Sequence, residues 1–209
     1  MEDFLAHEFR SREMLEKKLE YLDERIERQT SSTDCGNTWS ARYGYENNIL
    51  KRLEIMDQLG YSEEEIREYR RKHWRFSAVR GLEIQENMER GELDEAVRIL
   101  KESKELDSGY PGLVAQYSRQ LISIYETQAD EKAYKEELQY YVLECPQHDL
   151  AHIQKMKAVC TEQEWEQYRE QILQSRNSYS ILYPFMEAEG LYGRMLECMQ
   201  KEPFIFNVD

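Results

Sequence analysis

A chain of 209 residues is long enough to bury a hydrophobic core in one large domain or two small ones. With 33% charged residues and only 9 Gly and 4 Pro, it has too few turn-forming residues for a β-sandwich or β-barrel of this length. Its formal net charge of −14 argues against nucleic acid as a general partner.

The negative charge is concentrated toward the C-terminus. Residues 1–80 carry 15 basic and 17 acidic side chains, whereas residues 81–209 carry 13 and 25. We therefore expect the C-terminal part to attract a basic or amphipathic protein or peptide rather than nucleic acid. The chain has no apolar run of about 18 residues, no signal-peptide pattern and no disulfide framework among its four cysteines. These features predict a cytoplasmic protein that does not span a membrane.

Two amphipathic segments predict an N-terminal helical hairpin over residues 1–60. Apolar residues recur at steps of three and four in Phe4–Ile26 and again in Glu46–Leu59. Neither stripe can bury itself alone, so the two helices are expected to pack together. Residues 30–45 are predicted to form a long loop, whose aromatic residues either fold back on the hairpin or contact a partner.

Pairs of helices are predicted for residues 61–209. Ser62 with Glu65, and Thr161 with Glu164, match the capping-box pattern that begins a helix. Three similar segments recur at a spacing of 34 to 37 residues: GELDEAVRILKES, ADEKAYKEELQYY and TEQEWEQYREQIL. Each follows another amphipathic helix, and each such hairpin leaves an apolar face that only its neighbour covers. The fold class predicted is all-α, an α-α superhelix with about nine helices.

Two resemblances accompany this repeat. The segment ENMERGELDEAVRILKESKELD resembles a tetratricopeptide unit, with Gly91 at the turn and Ala96 where the helices approach. The segments KHWRFSAVRG, YKEELQYYVLEC and CTEQEWEQYREQIL are similar to the C-terminal helical-repeat region of bacterial proteins that carry a SWIM zinc finger. The zinc motif of that family, Cys-x-Cys followed by Cys-x-His, is not found in this sequence. The resemblance therefore implies a helical scaffold whose zinc-binding portion was lost, is encoded separately or belongs to a longer chain.

One group of residues has side-chain types that bind zinc. It consists of Cys145, His148, His152 and Cys160. Zinc needs four donors that converge at about 2.0–2.3 Å, but the two cysteines flank opposite ends of a predicted helix about 15 Å long. No metal or other cofactor is therefore expected.

A basic helix is predicted at REYRRKHWRF. Its cations are Arg67, Arg70, Arg71, Lys72 and Arg75. A binding surface for nucleic acid is one interpretation. Acidic residues one turn away offer partners, such as Glu63 for Arg67 and Glu68 for Lys72, so a solvated face with internal ion pairs is the favoured interpretation.

The sequence favours a non-catalytic interaction scaffold. It contains no nucleophile elbow, no phosphate-binding glycine loop and no HExxH helix. The function expected is an acidic α-solenoid that presents a groove to a protein partner. The candidate contact residues are Trp39, Tyr43, Tyr117, Tyr125 and Tyr141. The alternatives are a regulatory module of a nucleic-acid-associated, SWIM-type system, an enzyme whose site is assembled from distant residues, and assembly as a homodimer.

Overall fold

The chain folds into α-helices. The structure is a computed structural model that describes residues 11–31, 39–146, 149–174 and 179–201. Within these ranges there is no strand, which confirms the all-α prediction. The eleven helices of the described ranges are α1 (Arg12–Ser31), α2 (Trp39–Leu59), α3 (Glu63–Lys72), α4 (Ser77–Arg90), α5 (Leu93–Leu106), α6 (Pro111–Gln128), α7 (Glu131–Glu144), α8 (Leu150–Val159), α9 (Glu162–Gln174), α10 (Tyr179–Ala188) and α11 (Tyr192–Lys201). The predicted number was too low because several helices span only 10 residues.

Two compact units make up the chain, Met1–Ile99 and Leu100–Asp209. The expected boundary after residue 60 does not coincide with this division. Helices α3 and α4 both contact α2 of the hairpin. The N-terminal unit therefore includes helices that the sequence analysis assigned to the repeat.

The predicted hairpin is present as α1 packed along α2. Leu15, Leu19 and Leu22 of α1 are buried in one cluster with Ile55 and Met56 of α2. These leucines recur at steps of three and four, so they lie on one face of the helix. The portion of the predicted first helix before residue 11 lies outside the described residues.

The connection between the hairpin helices is shorter than the loop predicted for residues 30–45. Helix α1 continues to Ser31 and α2 already begins at Trp39. The Gly, Asn and Ser content of this stretch suggested a loop, but Tyr45 is almost fully buried, with its ring centroid 5.0 Å from that of Phe76. Tertiary packing of this kind overrides weak local helix propensity. Residues 32–38 lie outside the described part.

The C-terminal unit is built around α7 and α8. Helix α6 packs on α7 and α7 on α8, and further contacts join α7 to α9, α8 to α10 and α10 to α11. Leu138 and Tyr141 of α7 share a buried core with Ile153 and Met156 of α8. All four are at most 1% exposed, so this pair of helices forms the centre of the unit.

Side-chain caps begin several helices, as predicted. The Ser62 hydroxyl accepts from the Glu65 backbone N–H at 3.3 Å, and the Ser62 N–H donates to the Glu65 carboxylate at 2.8 Å. Thr161 and Glu164 make the same reciprocal pair before α9. Both pairs satisfy backbone donors that the first turn leaves open.

None of the helices in the described ranges combines the length and the apolar character that are needed to cross a lipid bilayer.

Candidate functional site

An open cleft of about 690 Å³ lies in the C-terminal unit. It is formed by the last turn of α6, the first turns of α7 and the end of α8. Its apolar lining residues are Tyr125, Ala129, Tyr134 and Val159. The remaining lining residues are charged and of both signs: Glu126, Glu131, Lys132 and Lys135. Apolar surface surrounded by a few polar groups is the usual composition of a binding cleft.

Ala129 gives this cleft an unusual backbone. It follows α6 in the left-handed conformation, with φ of 55°, and it is the one residue other than glycine with positive φ in the described ranges. Within the same ranges, three other helices end in this conformation at a glycine: Gly60, Gly91 and Gly190. At all four ends, the residue after the left-handed one donates its backbone N–H to the carbonyl five positions earlier in the chain. The Asp130 N–H, for example, donates to the Tyr125 carbonyl at 3.1 Å.

The alanine at this position is less favourable than glycine. A left-handed conformation costs about 1–2 kcal/mol for a residue with a Cβ atom, and glycine avoids that cost. Ala129 is one of the residues that line the cleft. Backbone strain concentrates at functional positions, so the strained residue at this end of α6 favours the cleft as a binding site.

Ion pairs fix the two sides of the cleft. The Lys155 ammonium lies 2.9 Å from the Glu126 carboxylate and joins α8 to α6. Burial and hydrogen bonding with Glu126 raise the pKa of Tyr134, whose phenol contacts the same pair. The Lys135 ammonium lies 2.8 Å from the Glu164 carboxylate and joins α7 to α9. The first pair therefore links two helices that line the cleft, and the second attaches the lining helix α7 to α9.

The Glu164 carboxylate is the most strongly stabilised anion near the cleft. Hydrogen bonds from Lys135 and from the N–H and hydroxyl of Thr161 lower its pKa to about 2. Glu131 and Lys132 at the cleft edge differ from these residues. Glu131 makes no ion pair with any described residue, and Lys132 has only a 3.9 Å contact with Glu136. These two exposed charges remain available to a ligand.

Of the predicted contact residues whose side chains are described, Tyr125 alone is placed at the cleft, and only 5% of its surface is exposed there. Tyr43 is exposed on α2 in the N-terminal unit, and the side chain of Trp39 lies outside the described residues. Tyr117 and Tyr141 are buried, so a partner cannot reach them in the folded chain, and their assignment as contact residues was wrong. The sequence pattern could not distinguish a core tyrosine from a surface one.

Tyr117 and Tyr141 instead stabilise the unit from inside. The Tyr117 hydroxyl donates to the Asp107 carboxylate at 2.7 Å, which satisfies a buried acid. The Tyr141 ring packs edge-on against His152, with 4.8 Å between ring centroids. Buried phenols of this kind add apolar area and one polar contact to a core.

The residues of the zinc-type string occupy separate positions. Cys145 is buried at the end of α7, and Cys160 ends α8. The His152 ring nitrogen Nδ1 lies 2.8 Å from the Asp149 carboxylate, and His148 lies outside the described residues. In the described ranges no three His, Cys, Asp or Glu residues are grouped closely enough to hold a metal ion.

The basic helix α3 does not show the predicted internal ion pairs. Neither Glu63 with Arg67 nor Glu68 with Lys72 forms a salt bridge among the described residues, so this prediction was wrong. Arg70 is the member of this cluster that pairs, and it bridges from α3 to Glu83 and Glu86 of α4. Its two acidic partners lie 13 and 16 residues further along the chain, so spacing within one helix does not predict these pairs.

Seven of the eight lining residues were not predicted as contacts, and Tyr125 is the exception. Ala129, Tyr134 and Val159 are the apolar members of this set. A partial signal was present, since α6 ends before the capping residue Asp130 without a glycine. Comparisons with protein-family models, with curated proteins and with solved structures find no match for this chain.

Proposed function

We propose that this chain is a non-catalytic, cytoplasmic interaction scaffold whose C-terminal unit binds a short amphipathic segment of a protein partner in the cleft. The observation that carries this proposal is the strained Ala129 in the wall of an open cleft with an apolar floor. Apolar side chains of the partner would pack on Tyr134 and Val159. A basic side chain would pair with the exposed Glu131 carboxylate.

The arrangement of helices supports a tetratricopeptide-like unit as the frame of this cleft. Contacts join α7 to α9 and α8 to α10, so these two helices each pack on the helix two positions further along the chain. Stacked hairpins produce contacts of this kind. This frame agrees with the helical scaffold that the resemblance to SWIM-associated repeat regions implies, and both remain proposals.

Selection from a random peptide library tests the proposal. The probe is a phage-displayed library of 12-residue peptides, selected against the full-length chain. We expect enriched peptides to combine an apolar or aromatic residue with a neighbouring basic residue. If no peptide sequence became enriched above its frequency in the unselected library, the proposed function would be contradicted.

A matched pair of variants then locates the binding site. Val159→Arg places a long cation in the cleft, whereas Leu196→Arg places the same side chain on an exposed position of α11. By isothermal titration calorimetry, the selected peptide should bind Val159→Arg at least about tenfold more weakly, because the apolar floor is blocked. Leu196→Arg should bind as the original chain does. Equal affinity for both variants would place the peptide elsewhere.

A further inference from the structure

A charged stripe covers the outer face of α3. Glu64, Arg67, Glu68 and Arg71 stand at positions i, i+3, i+4 and i+7, which lie on one side of a helix. All four are exposed. We call these four residues the α3 stripe.

The opposite face of α3 belongs to the core of the N-terminal unit. Ile66 and Tyr69 pack against the buried clusters of the hairpin. Arg70 is held by Glu83 and Glu86 on α4, with 2.6 Å and 2.7 Å from its guanidinium to the two carboxylates. This face fixes how α3 is oriented, so the stripe is presented outward by a rigid element.

The charges of the α3 stripe are not neutralised by other residues in the described part of the chain. No residue of the stripe forms an ion pair with any other described residue, although acids and bases alternate along it. Helix dipole effects favour acids in the first turn and bases in the last. These effects fall off within one turn, so they do not account for Arg67 and Glu68 at the centre.

The order of charges along α3 is antisymmetric about the midpoint between Arg67 and Glu68. In the sequence EEEIREYRRK, each acidic residue before the midpoint has a basic residue at the same distance after it. The one basic residue before the midpoint, Arg67, likewise has the acidic residue Glu68 after it. Glu64 and Arg71 stand seven residues apart, which is about 10.5 Å along a helix axis. Rotating the helix by 180° about an axis through this midpoint therefore places each positive charge where a negative charge stood, and each negative charge where a positive one stood.

This symmetry is the one that a two-fold axis requires. In an isologous dimer, residue i of one copy meets residue j of the other, and residue j meets residue i. Two α3 helices that run antiparallel across such an axis bring Glu64 opposite Arg71 and Arg67 opposite Glu68. Each contact occurs twice, so the stripe of one copy neutralises the stripe of the other.

We infer that the α3 stripe is a self-association surface, whose partner is a second copy of this chain packed antiparallel through α3. The inference is independent of the peptide-binding cleft in the C-terminal unit. Because the stripe has no apolar centre, the dimer is weak and its association weakens as ionic strength rises. A polyanion such as nucleic acid fits this surface less well, since Glu64 and Glu68 lie among the cations.

Two charge-reversed variants test the dimer, and mixing them tests whether complementary charges restore it. The acidic variant Arg67→Glu/Arg71→Glu and the basic variant Glu64→Arg/Glu68→Arg each give a stripe of a single sign. By sedimentation equilibrium of the full-length chain, the original protein should dimerise with increasing concentration at low ionic strength. Each variant alone should show a dissociation constant raised at least about tenfold, because four attractions become repulsions.

An equimolar mixture of the two variants distinguishes lost pairing from damaged folding. The mixture should form a heterodimer at concentrations where each variant alone is monomeric, since the two stripes are complementary again. The control Lys17→Glu/Arg28→Glu, two exposed cations on α1, should dimerise as the original chain does. A monomeric original chain, dimers that tolerate reversal, or a mixture that fails to associate would overturn the inference.

Discussion

Acidification should destabilise the N-terminal unit through a single buried imidazole, His73. This residue is 5% exposed and lies among aromatic rings. Its ring centroid is 4.5 Å from that of Tyr69, 6.2 Å from that of Tyr45 and 6.3 Å from that of Phe76. Such surroundings solvate the neutral imidazole far better than its protonated form.

Burial, together with the smaller effect of the nearby cations Lys72, Arg52 and Arg75, lowers the pKa of His73 to about 4. The imidazole of the unfolded chain titrates near 6.5. As pH falls below 6.5, the unfolded chain therefore takes up a proton that the folded chain does not. The stability that the neutral imidazole contributes is complete above that pH and is lost progressively down to about pH 4.

The size of this loss follows from the two pKa values. The difference between 6.5 and about 4 corresponds to about 3 kcal/mol of unfolding free energy, of which about 2 kcal/mol is lost by pH 5. The variant His73→Gln keeps a polar side chain but cannot titrate in this range. Its unfolding free energy should be lower at pH 7, because the packing of the ring is lost, and should depend less steeply on pH.

Urea unfolding at pH 7, 6 and 5 measures both proteins, and far-UV circular dichroism establishes that the variant keeps its helices. The difference in unfolding free energy between the original chain and His73→Gln should shrink by about 2 kcal/mol from pH 7 to pH 5. Parallel pH profiles would refute the assignment of His73 as a neutral buried base.

Three further substitutions test individual contacts. Ala129→Gly should raise the unfolding free energy by up to about 1 kcal/mol, because it relieves the left-handed alanine, while weakening binding of a cleft-selected peptide; a less stable variant in thermal unfolding would argue against strain at this position. Tyr117→Phe should lower the unfolding free energy by about 1–3 kcal/mol in urea, since the buried Asp107 carboxylate loses a donor, and an unchanged midpoint would show that the bond contributes nothing. Thr161→Ala should cost about 1 kcal/mol through loss of the cap before α9, and chemical denaturation that detects no change would contradict that role.

Helix positions and the hairpin core could be predicted from the sequence because they depend on short-range pattern. The steps of three and four among Leu15, Leu19 and Leu22 identify a buried face, and the Ser62 and Thr161 capping boxes identify helix starts. These signals lie within a few residues of each other. They can therefore be recognised in the sequence without knowledge of the tertiary structure.

The cleft and the ion pairs could not be predicted, because they depend on residues that meet only after folding. Glu126 and Lys155 are 29 residues apart, and Arg70 meets Glu86 at a separation of 16. The position of Ala129 in the left-handed region follows from the hydrogen bonds at the end of α6, not from its side chain. The resemblance to SWIM-associated repeat regions stays a prediction.

The cleft as the site of partner binding is tested most directly by nuclear magnetic resonance. The isotope-labelled full-length chain is titrated with the library-selected peptide, and backbone amide shifts are followed. We expect the largest changes within residues 125–135 and at Val159, on the three helices that line the cleft. Largest changes on other helices, with these amides unmoved, would contradict it.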